Sequence, residues 1–456
     1  MSNNELLRTE SIGKLLIRFS VPAIVGMLVM ALYNVVDRMY IGRIGAIAMT
    51  GIGISLPFMT LLMAFSMLVG IGAGARISIR LGQGRQDDAN RILGNAFVLL
   101  IIIMLIITVI GLVFKTQLLY LFGASEATID FADQYIRIIL IGALFQGLGF
   151  GMNNIIRAEG NPKIAMFTML IGAITNIVLD PILIFGFGMG ISGAALATIT
   201  SQLVSMVWVL HHFFKTDKIL RLKRENMKLD FEVVISIFSI GMSPFFMQVA
   251  ASIVTMVSNN VLRQYGGDIA ISAMTVVNAV AIFFLMPIFG INQGSQPIIG
   301  YNYGAKAYDR VKRALTMAIL AATAITLFGF VMTQFFTQTM IHMFNNETEL
   351  VEVASFGMKR FLLMMPLIGF QIVSANYFQA VGKAPRSMFL SLLRQVIVLI
   401  PMLVILPHFF GLAGVWSAGP TADFTASVVT AIFLVYEMRH LDTSHKAQQS
   451  LSDVSE

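Results

Sequence analysis

A chain of 456 residues that is 57% hydrophobic and 12% charged, with mean hydropathy +0.81, carries about half the roughly 25% charge of a soluble domain. No water-soluble core could bury that much apolar surface. The absence of Cys excludes a disulfide framework, a zinc ribbon and a thiol nucleophile, and the net charge of +7 is scattered over loops, which excludes a nucleic-acid face.

Apolar runs long enough for the ~20 residues of a membrane helix recur about twelve times. In chain order they cover 15–40, 48–75, 92–114, 131–158, 164–187 and 190–214, then 231–262, 270–300, 311–336, 352–380, 386–409 and 412–438. The predicted fold class is therefore all-α integral membrane, with two pseudo-symmetric six-helix lobes. No cleavable leader is expected, because the first run is full length and no small-residue cleavage motif follows it.

The two halves repeat one another at an offset of about 221 residues. Pro22 falls on Pro244, Gly45 on Gly267, Gly70 and Gly74 on Gly290 and Gly294, Ala158 and Gly160 on Ala380 and Gly382, and Gly190 and Gly193 on Gly411 and Gly414. An even number of spans per half makes this a parallel repeat, the architecture of a secondary transporter. Expected boundaries are a first lobe at 1–214, a basic cytoplasmic linker at 215–230, a second lobe at 231–440 and a disordered tail at 441–456.

Charge sets the orientation. Arg8, Lys14 and Arg18 precede the first span, and Arg76, Arg80, Arg85, Arg91, Arg157, Lys163, Lys306, Arg310, Lys383 and Arg386 flank alternate connections. The remaining connections carry Glu126, Asp130, Asp133, Glu347, Glu349 and Glu352. The positive-inside rule then places both termini in the cytoplasm. The linker has six Lys/Arg against three Asp/Glu. It reads as a solvated hinge, with binding of anionic headgroups as the alternative. Asn346-Glu347-Thr348 forms a glycosylation triplet of the kind that arises often by chance.

An ionisable residue inside a span costs about 2.5–3.5 kcal/mol and marks function by default. In the first half these are Asp37 in YNVVDRMYIG and Asp180 in ITNIVLDPILIFG, with Asn176 one turn before Asp180 on the same face. Counting helical rise puts Asp37 about 33 Å and Asp180 about 24 Å along their outward spans, with Thr198 about 12 Å below the outer end of its own. These groups can meet in the outer half of the first bundle as an oxygen-lined proton or sodium site. The structural alternatives are Asp37 paired with Arg38 at the interface and Asp180 capping its helix before Pro181. Pro22, which removes a backbone hydrogen bond, is the expected bend in the first span.

The second half departs from its twin: Asn259 stands at the place of Asp37, and no acid matches Asp180. It carries Arg394 and Asp423 instead, about 12 and 13 Å from the inner surface on consecutive antiparallel spans. They read as a structural or gating ion pair, or with Asp423 as a cavity acid that attracts cations. The 30 Met residues suit adaptable contacts, though each also fills core. Gly70, Gly72, Gly74, Gly147 and Gly151 read as close-packing points between helices. The six His are scattered, Asp87-Asp88 has no metal spacing, and neither an enzyme nor a cofactor is expected.

The segments VPAIVGMLVMALYNVVDRMYIGRIG, GIGAGARISIRLGQGRQDDA, RAEGNPKIAM and TNIVLDPILIFGFGMGISGAALAT, in that order, resemble the MATE (multidrug and toxic compound extrusion) family and its multidrug export branch over residues 11–440. The resemblance implies two six-helix lobes around a central cavity and export of organic cations and drugs against inward proton or sodium flow. It implies a monomer among the lipids of the plasma membrane. Asp37, Asn176, Asp180 and Thr198 match the family's first-lobe cation motif, and Pro22 its bending proline. The second-lobe acids of some members have no match here. A flippase for lipid-linked saccharides, from the broader superfamily, is the competing function. It would favour extra spans and a strongly cationic cavity.

Overall fold

The computed structural model describes residues 3–453 except 45, 123, 125, 127, 215–218 and 345–346, and it leaves out the side chains of 3–5, 34–35, 38, 42, 46–50, 268, 440 and 442–453. Gly45, Asn346 and the first linker residues thus lie outside the described residues. Every regular element among those described is helical.

The chain runs through α1 (Asn3–Thr9), α2 (Ile12–Gly42), α3 (Ala46–Gly82), α4 (Gln86–Leu121), α5 (Ile129–Ile141), α6 (Ala143–Ala158), α7 (Pro162–Pro181) and α8 (Gly190–Phe214). It continues through α9 (Phe231–Gly304), α10 (Tyr308–Phe335), α11 (Thr337–His342), α12 (Thr348–Phe361), α13 (Met365–Ala380), α14 (Ala384–Leu392), α15 (Ile400–Phe410) and α16 (Leu412–Asp453). Helix α9 contains two spans, Phe231–Gly267 and Ile269–Gly304, broken at Gly267, whose φ of 66° favours glycine.

Ten helical stretches among the described residues are long and apolar enough to cross a bilayer. Two bent pairs, α5 with α6 at 54° and α12 with α13 at 52°, bring the total to twelve if each pair is one span. The bends occupy twin places in the repeat. Gly142 sits at the first break, and Pro366 opens the helix after the second. Outward-facing apolar side chains such as Val109, Val113 and Leu320, each more than 60% exposed, are stable only against lipid.

Two compact units emerge, and their boundaries differ from a simple cut at the linker. The first holds Met1–Thr9 and Val21–Val249, the second Glu10–Ser20 and Ala250–Glu456. Close backbone approach accounts for the exchange. In the first unit, Gly241 of α9 lies so near Leu68 that a Cβ there would meet its carbonyl oxygen at 1.7 Å. In the second, a Cβ on Gly294 would meet the Ser20 backbone nitrogen at 2.6 Å. Gly70 likewise abuts Gly151, joining α3 to α6 within the first unit.

The linker is not a solvated hinge from Ile219 onward. Gln86 donates to the Ile219 carbonyl (2.6 Å), Asn90 Oδ1 accepts from Arg221 N–H (2.9 Å), and Asn95 Oδ1 accepts from Asp230 N–H (2.7 Å). Buried Glu159 accepts from Leu220 N–H at 3.2 Å and pairs with His212 Nε2 at 2.6 Å. Leu220 is fully buried. These polar side chains satisfy backbone groups that water would otherwise take. At the other end, α16 continues to Asp453, through most of the segment expected to be disordered; HLDTSHKAQQSLSD contains no Gly or Pro to stop a helix.

Candidate functional site

The first unit gathers the polar residues of α2, α7 and α8. Pro181 ends α7 and gives way to a π-helical turn, Ile182–Gly186. Proline has no N–H for the Ile177 carbonyl and its ring crowds that turn, so the helix loosens there, as functional sites often do. Asp180, the residue before it, is fully buried, with Asn176 and Thr198 at 1% exposure.

The carboxyl groups of Asp37 and Asp180 lie within electrostatic range of one another. Two carboxylates so placed repel unless a proton or a cation is held beside them. Asn176 Nδ2 donates to Asp180 Oδ1 at 3.5 Å, while Thr198 donates to the Ala194 carbonyl at 3.0 Å. Asn176 Oδ1 and Asp180 Oδ2 are buried acceptors without a protein partner. The donor set is all oxygen with two acids, which suits either a proton or a hard monovalent cation.

Two tyrosines complete the site. The hydroxyls of Tyr33 and Tyr135 lie within electrostatic range of Asp37 and Asp180, and the Tyr135 hydroxyl approaches Met59 Sδ at 3.9 Å. Tyr33 was readable from sequence, because it precedes Asp37 by four residues and so stacks one turn below it. Tyr135 comes from α5, and only tertiary structure brings it here. Pro22 lies inside α2, which is one continuous helix, at the point where the helix passes from the second unit to the first.

The second unit has another arrangement. Arg394 is the second residue of a π-helical stretch, Leu393–Leu399, that ends two residues before Pro401. Its Nε donates to Asp423 Oδ1 of α16 at 2.5 Å. The acid is 3% exposed and the arginine 24%. Asp423 thus meets a cation inside its own unit, whereas Asn176, Thr198, Tyr33 and Tyr135, which lie near the first-unit acids, carry no positive charge.

The MatE family model matches residues 22–182 and again 244–405. The chain belongs to the MatE family. The second match begins at Pro244, the counterpart of Pro22, so the family's unit is the repeat itself. The chain is 29% identical to a multidrug export protein MepA of Staphylococcus saprophyticus over 96% of its own length and 97% of that protein. It is 30% identical to a MepA of Staphylococcus aureus over 94% and 96%. A crystal structure of MATE in the straight conformation superposes with a TM-score of 0.92 at 25% identity, covering 97% of this chain and 99% of that one. MatE membership agrees with the helical, many-span fold, and these relatives are transporters rather than enzymes.

Proposed function

We propose that this MatE protein exports organic cations and drugs in exchange for protons or sodium ions, by alternating access across the plasma membrane, with both termini in the cytoplasm. The observation that carries the reading is the proximity of Asp37 to buried Asp180, beside Asn176 and Thr198, with two unpartnered acceptor oxygens on Asn176 and Asp180. Two acids that share one proton can release it when a cation arrives, and can take it up again when the cation leaves. Export by MepA relatives of similar length supports drugs as the cargo.

Coupling follows if site occupancy biases the protein between two conformations, since an ion shifts such an equilibrium only by its differential affinity for the two states. The test is drug efflux from proteoliposomes under an imposed pH gradient and, separately, an imposed sodium gradient. One of the two gradients is expected to drive export. Equal rates with and without either gradient would refute the exchange.

A further inference from the structure

Along α16, Asp423, Ser427 and Thr430 recur at i, i+4 and i+7, and Glu437 follows seven residues later. All four therefore share one stripe of the helix. Ser427 is 5% and Thr430 0% exposed, and neither hydroxyl oxygen has a hydrogen-bond partner. Helical Ser and Thr ordinarily donate to the carbonyl one turn back. Thr421 and Thr425 of the same helix do so, at 2.9 and 2.8 Å.

Helix α13 supplies the facing side. The Tyr377 hydroxyl donates to Glu437 Oε1 at 3.4 Å, which turns that face of α13 towards the stripe. Ser374, three residues earlier on the same face, is fully buried and its hydroxyl is also unpartnered. Each end of the stripe is an ion pair whose acid is buried and whose cations are partly exposed. Arg394 holds Asp423, while Lys383 and Arg386 (2.6 Å) hold Glu437, itself fully buried. The two carboxylates are separated by fourteen residues, about 21 Å of helix.

Buried hydroxyls left without partners carry a desolvation penalty, and clusters of them in native proteins ordinarily hold water. A metal ion would require carboxylate oxygens, which here are already engaged by Arg394, Lys383 and Arg386. We propose that the Asp423–Glu437 stripe of α16, with Ser374 of α13, binds a chain of ordered waters that joins the two ion pairs of the second unit. This water chain supplies the hydrogen bonds that the Ser374, Ser427 and Thr430 hydroxyls lack within the protein.

Radiolytic footprinting tests this on the full chain in lipid nanodiscs, since X-ray pulses turn bound water into hydroxyl radicals that oxidise adjacent side chains. Tyr377, fully buried, is expected to be labelled well above Met358, which is equally buried in the apolar cluster of the same unit. The Ser374→Ala/Ser427→Ala/Thr430→Val variant should lower Tyr377 labelling several-fold. Tyr377 labelling no higher than Met358, or unchanged in the variant, would overturn the proposal. Protection of Tyr377 by sodium but not by choline would overturn it in favour of a bound cation. The single variant Thr430→Val, which keeps the side chain's shape, supplies an independent sign. Its Tm should fall if the hydroxyl holds water, and an unchanged or raised Tm would mean a dry stripe.

Discussion

The two units solve the problem of an acid in the membrane in opposite ways. In the first, Asp37 and Asp180 lie within electrostatic range of one another and near Asn176, Thr198, Tyr33 and Tyr135, none of them cationic. In the second, Asp423 is clamped by Arg394. Both arrangements adjoin a π-helical turn near a proline; the turn follows Pro181 in the first unit and precedes Pro401 in the second. A repeated backbone thus yields one pair of neighbouring acids, the proposed coupling site, and one acid held by an arginine. The side chain opposite the acid makes the difference.

The largest expected effect of breaking this contrast falls on the first unit. Asp37→Asn and Asp180→Asn should each abolish gradient-driven export while folded protein persists in the membrane, as measured by vesicle efflux beside gel filtration. Drug binding in detergent is expected to survive. Full transport by both variants would remove the acids from the coupling step.

In the second unit the loss should appear as stability. Arg394→Met leaves Asp423 buried without a partner, and breaking a buried pair typically costs about 3–5 kcal/mol. The Arg394→Met/Asp423→Leu double variant should recover much of that loss in thermal melting. Losses that simply add would show the two residues to be uncoupled. If Asp423 instead attracts the drug, Asp423→Asn should weaken cation binding at unchanged Tm.

A smaller effect is expected at Pro22, where α2 changes packing partners between Ser20 and Val21. Pro22→Ala restores a backbone N–H inside the helix and stiffens it. Turnover should slow several-fold with drug affinity little changed, as read from initial efflux rates beside equilibrium binding. An unaltered rate would make the proline a passenger.

Hydropathy alone made the twelve apolar runs readable, because a bilayer imposes a length that soluble folds do not. The repeat was equally plain from the paired Pro and Gly landmarks. What stayed hidden depends on contacts between elements remote in sequence. Tyr135 comes near Asp37 and Asp180 only once α5 packs beside α8, and nothing in its local sequence marks it. The linker looked solvated because it is basic. It is anchored through its backbone, which Gln86, Asn90, Asn95 and Glu159 bind without regard to its side chains. Counting residues put Arg394 and Asp423 at equal depth, but the π turn that presents Arg394 has no simple sequence signature.

The contrast between the units is tested most directly by gradient-driven efflux measured side by side for Asp180→Asn and for Arg394→Met/Asp423→Leu in proteoliposomes. Export should stop in the first variant and continue in the second, because the exchangeable charge lies with Asp37 and Asp180. Continued export by Asp180→Asn together with loss of export in the second-unit double variant would contradict the account and move ion coupling to Asp423.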